Sequence, residues 1–110
     1  MNDVTCVGLI PAEQIADPTA GLNVLVMAVN SSGQEAAAPV SLYGCVDTQP
    51  RELVCKVCTL SPGEHAHLYF HIPPRCFSPE FWDGETPEEM TLFAGVTAPQ
   101  TIGVLLFIEA

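Results

Sequence analysis

"HAHLYFHI", residues 65–72, alternates apolar and polar side chains more strictly than any other part of this 110-residue chain. A period of two places successive side chains on opposite faces of a β-strand. One side of this stretch is apolar throughout, with Ala66, Leu68, Phe70 and Ile72. The other side carries three histidines and one tyrosine. The stretch therefore predicts a strand with one buried face and one outward face.

The rest of the chain divides into similar short runs, separated by proline, glycine and polar turn residues. These runs lie at 4–10, 22–30, 39–46, 52–60, 89–97 and 101–110. Short strands rich in β-branched and aromatic residues, with turn signals between them, are typical of sandwiches. The sequence predicts an all-β fold, an antiparallel β-sandwich of about seven strands, formed by residues 1–110 as a single domain.

Two of the predicted strands are apolar on both faces. In "LNVLVMAVN", residues 22–30, the odd-numbered and the even-numbered positions are both mostly apolar. The same holds for "TIGVLLFIEA", residues 101–110, where Ile102, Val104, Leu106 and Ile108 share one side and Leu105 and Phe107 share the other. Since a sandwich strand normally leaves one face in water, these strands need a second covering surface. A neighbouring subunit or a long connection of the same chain would supply it.

The charge balance narrows the classes of partner. Thirteen acidic residues face three basic ones, for a formal net charge of −10, which repels nucleic acid and anionic membranes. Only 15% of the residues are charged, against about 25% in ordinary domains, so large neutral areas must remain at the surface. Such areas are usually interfaces, although a compact monomer rich in Ser, Thr and Gln is the alternative. We expect protein partners, in a homo-oligomer or a larger particle.

The chain shows neither a basic leader with a long apolar run nor eighteen successive apolar residues. We therefore expect a protein made in the cytoplasm, without signal peptide or transmembrane segment. Five cysteines, an odd number, then predict mostly reduced thiols. Cys55 and Cys58 should point to opposite faces of one strand and chelate nothing. The sequence places neither a general base nor an oxyanion pocket beside Cys76. We therefore expect no enzyme activity and no cofactor.

His65 and His67 are the only candidates for metal ligands that the pattern brings together. Residues two apart on a strand have Cα atoms about 6.6 Å apart, so both side chains could hold one zinc ion. His71 lies about 13 Å from His67 along the strand, and no third ligand can be placed. We favour histidines that face solvent or an interface, with zinc binding as the alternative.

The segment "PPRCFSPEFWDGETPEE", residues 73–89, is a proline-rich connection that holds five acids and three aromatics. Aromatic anchors beside charged residues are typical of contact sites. The sequence predicts a partner-binding site formed by Phe77, Phe81, Trp82, Glu80 and Asp83. A cap that packs against its own sandwich is the equal alternative.

The order of segments across residues 22–72 resembles a known class of module. "LNVLVMAVNSSGQEAAAPVSLYG" followed by "CTLSPGEHAHLYFHI", with a turn at Pro62 and Gly63, is similar to immunoglobulin-like sandwiches of the CARDB-like and fibronectin III-like kind. The third strand has no tryptophan, unlike antibody-type domains. The resemblance implies a spacer, an adhesion unit or an accessory protein of a phage or viral particle.

Together these features predict a non-catalytic structural and interaction protein. The expected setting is a virion or assembled particle, with the chain as a phage or viral accessory component of the capsid decoration type. The alternatives are a cell-surface adhesion module from a longer chain and a metal-binding protein that uses His65 and His67.

Overall fold

A computed structural model describes residues 3–109. It contains eight strands: β1 (Val4–Pro11), β2 (Ile15–Ala16), β3 (Leu22–Asn30), β4 (Ala36–Cys45), β5 (Pro50–Leu60), β6 (His65–Ile72), β7 (Glu89–Val96) and β8 (Val104–Ile108). A single 3₁₀-helical turn at Pro74–Phe77 follows β6. Among the described residues there is thus no helix long enough to cross a membrane.

The strands form two sheets that face each other. One has three strands in the order β1-β3-β6, and the other has five in the order β2-β8-β7-β4-β5. All strand pairs are antiparallel except β2 and β8, which run parallel. The predicted all-β sandwich is confirmed. The two-residue strand β2 is not predicted, because "EQIADP" has no alternation long enough to indicate a strand.

The core lies between the sheets and is built from the alternating apolar positions of the strands. In β3 the even-numbered residues are buried, while Leu25, Met27 and Val29 on the odd side are half-buried. The largest side chains that are fully shielded from solvent are Phe77, Leu42, Leu60, Ile72, Met90, Leu92 and Leu106. The three-stranded sheet therefore has an outer face that is apolar at its centre and accessible to solvent.

Two residues of the predicted strands, Val46 and Ile102, lie outside the observed strands. The alternation predicts Val46 on the inward side of a strand, but β4 ends at Cys45 and Val46 is 39% exposed. The last strand is predicted to include Ile102, on the same side as Leu106 and Ile108, yet β8 begins at Val104 and Ile102 is 91% exposed. The reason is the preceding connection, in which Thr101 donates its backbone N–H to the carbonyl of Ala94 and keeps the chain in a turn.

Two polar side chains join separate elements. Asn30 is fully buried, and its Nδ2 donates to the carbonyls of Gln34, Leu60 and Ser61 at 2.8, 3.2 and 3.1 Å. Its Oδ1 accepts from the backbone N–H of Ser32 at 3.0 Å. These bonds tie the end of β3 to the following turn and to the end of β5.

Gln100 makes the corresponding link between the sheets. Its Oε1 accepts from the backbone N–H of Cys6 in β1 at 2.8 Å and from that of Val96 in β7 at 3.1 Å. One carbonyl oxygen with two lone pairs thereby satisfies donors on both sheets.

Candidate functional site

The segment 73–89 is an ordered cap, and Arg51 of β5 holds it in place. The Arg51 guanidinium donates to the carbonyl of Phe81 at 2.6 Å and pairs with the carboxylate of Asp83. It also lies 5.1 Å from the centre of the Trp82 ring, a distance that permits cation–π attraction. The indole Nε1 of Trp82 donates to the carbonyl of Cys76 at 2.6 Å. Intramolecular contacts therefore engage the Asp83 carboxylate, the Trp82 indole N–H and the Phe81 carbonyl of this segment.

The five residues predicted to bind a partner differ in their exposure to solvent. Phe77 is 1% exposed and belongs to the core, so it cannot contact a partner in the folded chain, which corrects the prediction for that residue. Phe81 and Trp82 are half-buried and stack edge to face at 5.2 Å between ring centres. Glu80 and Asp83 are exposed. The cap alternative describes the aromatic residues better.

The cysteines divide into buried and accessible thiols. Cys6, Cys58 and Cys76 are buried, Cys45 is half-buried and Cys55 is exposed, and all five are free. Burial, with a smaller contribution from the nearby Cys58, raises the pKa of the Cys6 thiol to about 11. Burial likewise raises the pKa of Cys58 and of Cys76. A raised pKa disfavours the thiolate, which is the nucleophile, so these three thiols are not activated.

The C-x2-C pair points to two sides of the five-stranded sheet, as predicted. Cys55 pairs with Ser41 on the outer face, whereas Cys58 pairs with Ala38 on the core side. Cys76 donates its thiol to the carbonyl of Leu53 at 3.4 Å. Cys55 and Cys58 therefore lie on opposite faces of the sheet.

All three histidines lie on the outward side of β6, which forms one edge of the three-stranded sheet. His65 stands opposite Val29 of β3, and His67 stands opposite Met27. The Nδ1 of His71 is 2.8 Å from Oδ1 of Asn23, its partner on β3. This contact joins β6 to β3 at the end of the sheet that carries Ile72 and Leu22.

The histidines border a continuous outward surface that we call the histidine face. It consists of the outward side chains of β1, β3 and β6: Thr5, Val7, Ile10, Asn23, Leu25, Met27, Val29, His65, His67, Tyr69 and His71. Ile10, Leu25 and Tyr69 form one row across the three strands. Ile10 is 54% exposed and Tyr69 is 71% exposed, with Leu25 half-buried between them.

A shallow groove runs along one end of the histidine face. Ile10 and Pro11 line one side of it, Leu25 lies at its base, and Tyr69 and His71 line the other side. The lining is mainly apolar. The groove therefore offers a concave apolar surface with an imidazole and a phenol at its rim.

The histidine face differs from the rest of the surface in its charge. The 8, 9 and 8 residues of β1, β3 and β6 include no Asp, Glu, Lys or Arg, in a chain whose formal net charge is −10. A second apolar patch, at β2 and β8, contains Ile15, Leu105 and Phe107. There, however, Glu89 stands directly opposite Phe107 on the same face. The three-stranded sheet thus provides the carboxylate-free surface.

A metal ion bound by His65 and His67 would have no third protein ligand among the described residues. Across residues 3–109, no group of three or more His, Cys, Asp or Glu side chains is placed to hold a metal ion. His65 and His67 share a face, as predicted, but the residues between and beside them on that face are apolar. The pair alone supplies two nitrogen ligands, and a zinc site usually requires at least three protein ligands.

Comparison with known proteins identifies the fold. No protein-family model and no curated protein sequence matches the chain. Among solved structures, it is similar to the β-glucosidase EmGH1 from Erythrobacter marinus, with a TM-score of 0.73 and 18% identity over 96% of this chain and 15% of that one. The β-D-glucoside glucohydrolase from Trichoderma reesei gives a TM-score of 0.72 and 14% identity, over 96% and 19% of the two chains.

A third similar structure is the β-glucosidase D2-BGL from Chaetomella raphigera, with a TM-score of 0.72 and 16% identity over 94% of this chain and 18% of that one. The chain therefore spans less than a fifth of each of these enzymes. At such identities the likeness shows a shared β-sandwich fold and leaves the function of this chain to be argued from its own surface.

Proposed function

We propose that the chain is a non-catalytic structural module that attaches to other protein surfaces through the histidine face. The observation that supports this role is the coincidence of exposed apolar side chains with the absence of charge on β1, β3 and β6. Apolar patches bordered by polar residues mark interaction sites on soluble proteins. The row Ile10–Leu25–Tyr69 would be the centre of the contact, with Tyr69 as its aromatic anchor.

The size of the face favours an assembly in which many copies stand side by side. Three strands about 4.8 Å apart and about eight residues long at about 3.3 Å per residue cover roughly 380 Å². A standard stable interface buries about 800 Å² on each partner, so one contact through this face would be weak. Weak contacts suffice where neighbours in a particle reinforce them. This supports an accessory role of the capsid decoration type, on a phage or viral particle, over a permanent two-protein complex.

The similar solved structures favour one alternative. In the β-glucosidases the matching region is less than a fifth of the chain, so this sandwich fold also occurs as a small part of much longer proteins. A module of a longer chain, such as a cell-surface adhesion unit, is therefore the second candidate. It would use the same face toward a neighbouring domain. The β-glucosidase activity belongs to those proteins and does not enter the proposal.

Two substitutions that each introduce a carboxylate test which surface of the chain contacts its protein partner. Tyr69, on the histidine face, is 71% exposed, and Val57, on the outer face of the other sheet, is 70% exposed. Tyr69→Asp and Val57→Asp place the same carboxylate on opposite sides of the molecule at matched exposure, where surface substitutions change stability by only about 0.5 kcal/mol. Both variants should fold, as checked by circular dichroism.

The measurement is the native mass of the protein in extracts of cells that produce its assembly, by size-exclusion chromatography with light scattering. We expect wild type and Val57→Asp to elute in a large complex and Tyr69→Asp to elute at the mass of the free chain. Retention of Tyr69→Asp in the complex, with loss of Val57→Asp, would contradict the proposal.

A further inference from the structure

We infer that the turn between β7 and β8, residues 97–102, is a second part of the contact surface, and that Ile102 enters an uncharged apolar pocket of the protein that the histidine face binds. This inference rests on the proposed function, because it enlarges the same contact at the free edge of β1. It adds a preformed loop and one anchoring side chain, which the sheet does not provide.

Hydrogen bonds hold the 97–102 turn against β7. The carbonyl of Ala94 accepts from the backbone N–H groups of Gln100 and Thr101 at 2.9 and 3.2 Å. The hydroxyl of Thr101 accepts from the N–H of Ala94 at 3.0 Å. A Cβ atom on Gly95 would lie 1.8 Å from the carbonyl oxygen of Ala98, so the turn packs directly on the strand. Since a loop that is already ordered loses little conformational entropy on binding, this turn is well prepared for a contact.

The backbone at the start of the turn is strained. Thr97 has a φ angle of 65°, in the left-handed region, which β-branched residues rarely adopt. Its hydroxyl donates to the carbonyl of Val96 at 2.6 Å. Strain of this kind persists only where the surrounding structure fixes it, and it is concentrated at functional sites. Thr97 therefore indicates a turn that is kept in one shape.

The turn presents the most exposed large apolar side chain among the described residues. Ile102 is 91% exposed, against 71% for Tyr69 and 70% for Val57. No Asp, Glu, Lys or Arg occurs from residue 90 to residue 108, in a chain whose formal net charge is −10. An exposed isoleucine among uncharged residues fits an apolar pocket without charge. Because single exposed apolar side chains are common on protein surfaces, the neighbouring surface decides whether Ile102 belongs to an interface.

The turn adjoins the histidine face at the free edge of β1. The Oε1 of Gln100 accepts from the backbone N–H of Cys6 at 2.8 Å. The next residue, Val7, falls where the register of β1 with β3 shifts, and it is 60% exposed on the histidine face. Such bulges redirect side chains and are common beside functional sites. Since neither β1 nor the turn carries a charged residue, the charge-free surface continues from the sheet to Ile102.

The area of the histidine face leaves room for this extension. The face covers roughly 380 Å², less than half of the about 800 Å² that a standard interface buries on each partner. The 97–102 turn enlarges the same surface at one edge, and an apolar side chain that enters a pocket adds affinity in proportion to the area it removes from water. A partner seated on the face therefore has a second apolar contact beside β1.

The first test is photo-crosslinking in cells that produce the native assembly, with a benzophenone amino acid at position 69, 102 or 48. Thr48 is the control, because it is exposed in the turn after β4, at the other end of the β4–β7 pair from residues 97–102. We expect adducts from positions 69 and 102 to contain the same partner polypeptide, and position 48 to give none with it. An adduct from position 69 without one from position 102, or with a different protein at 102, would overturn the inference.

The second test measures the dissociation constant for the polypeptide that the position-69 adduct identifies. Ile102→Ala should weaken binding at least about tenfold, whereas the matched control Val57→Ala should change it less than about twofold. Both residues are exposed, so both variants should fold. If Ile102→Ala binds like wild type but Tyr69→Asp leaves its native complex, only the extension to the turn is wrong. If Tyr69→Asp stays in that complex, the proposed function fails as well.

Discussion

Replacement of Asn30 by alanine should destabilise the chain strongly, because this side chain ties the end of β3 to the following turn and to the end of β5. Asn30 is fully buried, and its amide bonds to the carbonyls of Gln34, Leu60 and Ser61 and to the N–H and hydroxyl of Ser32. A hydrogen bond contributes about 0.5–1.5 kcal/mol, with the higher values where the abandoned partner is buried. Since the bond to Leu60 is buried and the other four are partly buried, the expected cost is about 3 kcal/mol.

Thermal unfolding followed by circular dichroism measures this cost. The unfolding entropy of 110 residues is about 230 cal/mol/K near 60 °C, so about 3 kcal/mol lowers Tm by about 13 °C. Asn23→Ala is the matched control, because Asn23 lies on the same strand but is exposed and makes one side-chain bond, to His71. It should cost less than about 1 kcal/mol. Equal shifts of Tm for the two variants would refute the assigned role of Asn30.

Three further results follow from the cap and the thiols. Arg51→Ala should speed proteolysis within the cap, because it removes the contacts to Phe81, Trp82 and Asp83. The control Arg75→Ala, at an exposed position, should not. Equal cleavage rates for the two variants, measured by mass spectrometry, would contradict this. With a thiol reagent, Cys55 and then Cys45 should react in the native protein, and the three buried thiols only after unfolding; fewer than five reactive thiols after unfolding would favour an exported, oxidised module. The pKa of Cys6 is about 11 in the folded chain against an ordinary value of 9.0, so the unfolded chain loses this proton first as pH rises. The free energy of unfolding should therefore fall as pH rises from about 9 towards 11. An unchanged denaturation midpoint across that range would count against the raised pKa.

Most of the fold could be predicted from the sequence because its strands alternate. Residues 65–72 form β6 with the predicted inward and outward sides, and each of the other six predicted runs contains a strand. Strand ends were less predictable, since tertiary contacts set them. The turn before β8 depends on the carbonyl of Ala94, which accepts from Gln100 and Thr101, and such a bond leaves no trace in hydrophobic periodicity.

The candidate site could be predicted only in part from the sequence. The alternation placed the three histidines on one face, and the two-sided apolarity of residues 22–30 indicated an accessible apolar sheet face. What the sequence could not show was that β1, β3 and β6 are neighbours, because strand order is set by long-range pairing. Only that order brings Ile10 and Tyr69 to opposite sides of Leu25. The charge-free character of the face follows from the same pairing.

For the 73–89 segment, the sequence could not favour the cap over the contact site, for a physical reason. Aromatic residues beside acids are found both in contact sites and in caps, and composition does not separate the two. The deciding partner was Arg51, which lies 30 residues before Phe81 and 32 before Asp83 in the chain. Arg51 is one of only three basic residues in this acidic chain, and that scarcity is a signal that could have favoured the cap.

Site-specific photo-crosslinking tests most directly whether the histidine face is the attachment surface. A benzophenone amino acid is placed at Tyr69 in one variant and at Val57 in another, at exposures of 71% and 70%, and both are irradiated in cells that produce the native assembly. We predict a discrete adduct from position 69, identified by mass spectrometry, and little or none from position 57. Adducts from position 57 alone would show that the molecule attaches through its other sheet.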